Sequence, residues 1–150
     1  MPHVRTQIRN AFRSALTGLP STGSNVFVMR PDERPLALAE LPALKIWMDD
    51  EQIAGEALGD PGTLRREVPL RVDVVAQQGA EPLADTLDAI TAEVESAIAA
   101  NPTLGGLVKY AEPESIATEV SAEGAAPTGR QTLGIRLCYY THTTAPDVAL

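Results

Sequence analysis

Residues 67–100, EVPLRVDVVAQQGAEPLADTLDAITAEVESAIAA, change period halfway along. In Glu67–Gln77 the apolar Val68, Leu70, Val72 and Val74 alternate with Pro69, Arg71, Asp73 and Val75. Side chains of a strand project to alternate faces, so this pattern predicts a strand with one buried face. Pro69 has no N–H to give to a ladder, so its end of the strand is expected at an edge or a bulge. Over Pro82–Ala100 the period lengthens. Leu83, Leu87, Ile90, Val94, Ala97 and Ile98 fall on one stripe of a helix, Pro82 suits its first turn, and Asn101-Pro102 stops it.

Working toward the N-terminus, residues 3–18 read as a second amphipathic helix. Val4, Ile8, Ala11, Phe12, Ala15 and Leu16 recur at helical spacing, and Gly18 and Pro20 end the segment. Arg5, Arg9 and Arg13 stack at the margin of its apolar face, where their aliphatic stems can cover apolar surface. Asn25–Arg30 (NVFVMR) and Ala43–Met48 (ALKIWM) read as strands, separated by the proline-bounded loop RPDERP. Residues 49–65, DDEQIAGEALGDPGTLR, read as a long loop, with Asp49, Asp50 and Glu51 at its start.

Toward the C-terminus, Ser115–Ala122 and Gln131–Thr141 are strand candidates joined by the turn-rich EGAAPTG, and residues 142–150 read as a flexible tail. The expected order is α-β-β-β-α-β-β, an α/β (α+β) arrangement in a single domain spanning 1–150. No internal repeat is present.

Composition narrows the class. A chain of 150 residues, 44% apolar and 21% charged, fits one soluble domain with one core. No apolar run reaches the roughly 20 residues that cross a bilayer, and no secretory leader is evident. The single Cys138 is expected as a buried strand residue and suits a reducing cytosol. Charge is uneven within a net −8. Residues 1–31 hold four of the twelve basic groups and no acid, leaving eight basic against twenty acidic groups in the remainder. A pI near 4.7 argues against a dedicated nucleic-acid binder. The α-β-β-β-α order is also that of double-stranded-RNA-binding domains. Those meet phosphate with a basic second helix, however, and this chain offers Glu81, Asp85 and Asp88 there.

Chemistry-bearing patterns are sparse. His3 and His142 have no companions at metal-ligand spacing, and no nucleophile elbow, phosphate loop or CxxC occurs. Carboxylate pairs such as Asp85 and Asp88 suit a solvated helix face. Asp49-Asp50-Glu51 suits a solvated loop or an acidic contact more than a hard-cation site. The chain is therefore read as a non-enzyme, with no metal and no cofactor.

A succession of segments does carry a resemblance. The helix VRTQIRNAFRSAL, the strands NVFVMR, LPALKIWMDDE and REVPLRVDVVAQ, the helix PLADTLDAITAEVESAI and a late strand ending LCYYT follow one another over the whole chain. In this the chain resembles the tail terminator family of long-tailed bacteriophages, the tail-completion or minor tail protein U-like proteins. The resemblance implies helices packed on a mixed sheet, no cofactor, and a virion protein assembled in the bacterial host cytoplasm. Members cap the head-proximal end of the tail tube as a six-fold ring. This ends tube polymerisation and offers a surface to the head-completion or connector protein, with DNA only passing through the lumen.

In such a ring Arg5, Arg9 and Arg13 of one protomer are expected to meet Asp85 and Asp88, or Asp49, Asp50 and Glu51, of the next. The other readings of the stripe are local pairing, solvation, or lining of the lumen. Two further functional readings remain beside the terminator: another head–tail connector or stopper ring, and a small-molecule-binding α/β domain.

Overall fold

Val68, Leu70, Val72 and Val74 are buried to within 1%, as their alternation requires. The computed structural model describes residues 1–121 and 127–150. In chain order the elements are α1 (Val4–Leu16), β1 (Val26–Val28), β2 (Ala43–Met48), β3 (Gln52–Ala57), β4 (Thr63–Gln77), α2 (Leu83–Ala100), β5 (Tyr110–Ser121) and β6 (Thr128–His142). The chain is a single α+β domain whose mixed six-stranded sheet runs β1-β2-β4-β6-β5, with β3 also on β4. The β1–β2 pair is parallel and every other pair antiparallel.

Both helices lay their apolar stripes on one face of this sheet. From α1 come Val4, Ile8, Phe12 and Leu16; from α2 come Leu83, Leu87, Ile90, Val94 and Ile98. They meet Leu44 and Ile46 of β2, the even positions of β4, and Leu133, Ile135, Leu137 and Tyr139 of β6. Truncating one of the larger of these, such as Phe12 or Leu87, to alanine costs about 2–5 kcal/mol. Gly129 of β6 lies under α2. A Cβ there would meet Leu83 and Leu87 side-chain carbons at 2.9–3.3 Å, so the helix can approach only because this position lacks one.

Two sequence expectations are corrected. The loop expected over 49–65 is largely strand: Gln52–Ala57 is β3, and β4 already begins at Thr63. The order is therefore α-β-β-β-β-α-β-β. Met48 faces Leu70 and Gln52 faces Glu67, so four steps along the chain answer three on β4. β3 is thus the continuation of β2 past a one-residue bulge at Asp49–Glu51. The hidden strand escapes a pattern search because all six of its residues are exposed.

The expected free tail is also anchored. Pro146 O accepts from Val4 N at 3.0 Å, Asp147 O accepts from Gln7 Nε2 at 2.7 Å, and Leu150 N donates to Tyr140 O at 2.9 Å. The first two bonds hold Pro146 and Asp147 against the first turn of α1, whose N–H groups need acceptors from outside the helix, and the third ties Leu150 to β6.

Pro69 shows how a proline sits in a central strand. Its carbonyl accepts from Asp49 N at 2.9 Å, on the side of β4 that carries β2 and β3. In an antiparallel ladder a residue's N and O point the same way, so the missing donor faces the bulge between those two strands. Cys138 is buried in β6, as expected. The EGAAPTG turn falls mostly on residues 122–126, outside those described.

Candidate interaction surface

The arginine stripe divides along its length. Arg5 Nη1 lies 3.1 Å from Glu51 Oε1 of the same chain, and Arg66 Nη1 lies 3.0 Å from Glu51 Oε2. The Tyr139 hydroxyl donates to Glu51 Oε1 at 2.6 Å, and Arg66 Nε donates to Thr141 Oγ1 at 3.0 Å. Side-chain exposure is 7% for Glu51 and 9% for Arg66, so this is a buried charged cluster under the bulge. Burial first, and then the bond to Glu51, push the Tyr139 phenol well above its ordinary value. Glu51 is therefore committed inside its own protomer. The expectation that it meets a neighbour is corrected: the bulge turns it inward.

Arg9 is half-buried. Its guanidinium reaches Met48 Sδ at 3.6 Å and Thr6 Oγ1 at 3.2 Å. Partial burial, and then Arg5, lower its affinity for the proton. Arg13 is exposed in the last turn of α1, with no carboxylate within ion-pair distance among the described residues. The stripe thus grades from structural to solvent-facing.

The acidic candidates grade likewise. Asp50 is exposed, and its N–H donates to Asp49 Oδ1 at 2.9 Å. Asp49 Oδ2 is 3.8 Å from Arg71 Nη2, whose other nitrogen is 3.6 Å from Glu114 Oε1. Arg71 thereby straps the bulge after β2 to β5 across the sheet face away from the helices, passing directly over Gly134. On α2, Asp88 accepts from Gln131 Nε2 at 2.8 Å, in a chain that also engages Thr91 and Thr118. Asp85 is exposed and edges a shallow groove of about 400 Å³ with Pro42, Thr86 and Ile90. Of the eight candidates, Arg13, Asp50, Asp85 and Asp88 present themselves to solvent, and they do not converge on one site.

The larger unsatisfied features are the sheet's own edges. β5 is exposed at every residue from Glu112 to Ser121 and β3 at all six, and among the described residues neither has a partner on its outer side. Such an edge presents a row of open N–H and C=O groups. Neither edge was visible as an interaction feature in the sequence, although DPG at 60–62 is a turn signal between β3 and β4. Among the described residues no three His, Cys, Asp or Glu converge as a metal site, and no helix is long and apolar enough to cross a membrane. No protein-family model matches the chain, and no curated protein matches it.

Proposed function

We propose that the chain is a structural virion protein of a long-tailed bacteriophage that closes the head-proximal end of the tail tube as a ring. The observation that carries the reading is a helix-backed sheet in which two edge strands, β3 and β5, are exposed and, among the described residues, unpartnered on their outer sides; such edges suit continuation into a neighbour. The succession of segments along the chain agrees with it. A head-to-tail contact that closes on itself makes a ring and stops, where one that fails to close makes a filament.

In this reading one face of the ring matches the last tube layer, and the other receives the head-completion protein. The residues supply recognition and no chemical step. Negative-stain electron microscopy and solution mass of the purified chain at millimolar concentration test it. Six-fold rings with a central hole are expected; a monomer that forms no ring under these conditions counts against self-assembly into a cap.

A further inference from the structure

We infer that protomers join by pairing the free edge of β5 with the free edge of β3 in a second copy, making one continuous antiparallel sheet. Strand direction permits it. β3 and β6 run opposite to β4, and β5 runs opposite to β6, so β5 and β3 point in opposite senses. A neighbour in the same orientation therefore presents β3 antiparallel to β5.

Side-chain facing agrees. Ile116 pairs with Leu133 and Val120 with Gly129, both on the helix-covered face, and Ile53 pairs with Arg66 on that same face. These three are exposed at 53%, 60% and 54%. Edge pairing would bring Ile53 of one copy against Ile116 or Val120 of the next, as a cross-strand apolar pair. Natural edges are commonly protected by lysine or proline. β3 has neither, and Ser115–Ser121 of β5 has neither.

Charge selects the second copy's β3 over its β5. β5 carries Glu112, Glu114 and Glu119 and no basic residue, so β5 against itself faces like charges, whereas β3 carries only Glu56. The edges are also staggered. With Ile53 opposite Ile116, Ile116 lies level with Val72 across Leu133, whereas Ile53 lies level with Arg66. That six-residue offset is about 20 Å at ~3.3 Å per residue. Repeated over four strand spacings of ~4.8 Å, it tilts the strands by on the order of 45° to the ring axis, near the tilt of closed sheets. Closure into a ring rests on the proposed function; the pairing itself does not.

The test is disulfide trapping with the full chain. Ile53→Cys, Ile116→Cys and Val120→Cys are made singly, with the native Cys138 buried, and each is checked for unchanged thermal unfolding. Oxidising a mixture of Ile53→Cys with Ile116→Cys or Val120→Cys is expected to yield cross-linked dimers, while each variant alone stays uncrosslinked. The double variant should yield a ladder ending at the ring size. Dimers from Ile116→Cys or Val120→Cys alone would show β5 meeting itself and overturn the pairing. Rings without cross-links in either mixture overturn the pairing but leave the ring reading standing. Cross-linked open filaments support the pairing and overturn the ring. Monomers without cross-links overturn both.

Discussion

Changing Glu51 to glutamine keeps its shape and removes its charge. Two guanidinium groups at 3.0 and 3.1 Å and one phenol at 2.6 Å then face a neutral amide. Arg66 is 9% exposed and cannot turn to water, whereas Arg5, at 29%, can. The penalty is therefore mainly that of one uncompensated buried cation, about 3–5 kcal/mol. At roughly 2–4 °C per kcal/mol for a chain of this size, the midpoint should fall by about 6–20 °C.

Tyr139→Phe removes one hydrogen bond to a charged acceptor and should cost about 1.5–3 kcal/mol. The double variant should cost less than the sum, because both changes act on Glu51. The decisive case is Glu51→Leu with Arg66→Met. Removing both charges should recover most of what Glu51→Leu alone loses, since a buried pair is often replaceable by apolar side chains. Urea unfolding followed by circular dichroism measures all five. If Glu51→Gln lies within ~1 kcal/mol of the parent, or the paired replacement is worse than the single one, the cluster is not a buried charge network.

Three further outcomes are expected. Gly134→Ala places a Cβ onto the Arg71 guanidinium and the Ser115 hydroxyl; both are side-chain ends that can turn away, so it should break the strap to Asp49 and Glu114 at a cost of only about 0–1 kcal/mol per ion pair, and a structure of the variant with Arg71 still bridging both carboxylates would refute the close approach. The Glu40 carboxyl is held at about 2, against an ordinary 4.5, first by the two-pronged bond from Arg34 and then by the Ala37 N–H. Its folded value is depressed, so its stabilising contribution is present above pH 4.5 and lost as pH falls toward 2; a carbon-detected titration with a midpoint near 4.5 would contradict this. Truncation after Ala145 removes the Pro146 carbonyl from Val4 N. Hydrogen exchange at Val4 should quicken while Ile46 stays protected, and unchanged exchange at Val4 would show that the tail does not cap α1.

Much of the architecture was legible because it depends on burial. β2, the core of β4, both helices and β6 each carry a period that one buried face imposes. The arginine stripe was correctly placed at the margin of α1, with Arg5 and Arg9 part-covered. What escaped depends on groups that leave no pattern. β3 owes its conformation to hydrogen bonding with β4, and Gln-Ile-Ala-Gly-Glu-Ala has no buried side to select apolar residues. The first part of β5, Tyr110–Glu114, is broken by Pro113 and a register shift. Glu51 looked solvated beside Asp49 and Asp50, because only the bulge reveals that one residue of the three turns inward. The tail is held largely by backbone carbonyls, which every residue has.

The fifteen-position ladder between β4 and β6 also governs how the chain reaches this state. Its partners stand between 51 residues apart, for Gln77 with Thr128, and 79 apart, for Thr63 with His142. Folding dominated by such distant pairings is slow, on the order of milliseconds to seconds. During synthesis the first half has its helix and strands but lacks β6, the interior strand that links them to β5. A chain arrested at residue 127 is expected to stay open to protease, while one extended past β6 to residue 150 closes. Until β6 leaves the ribosome, β4 is itself an open edge, and the nascent protein depends on β6 to cover it.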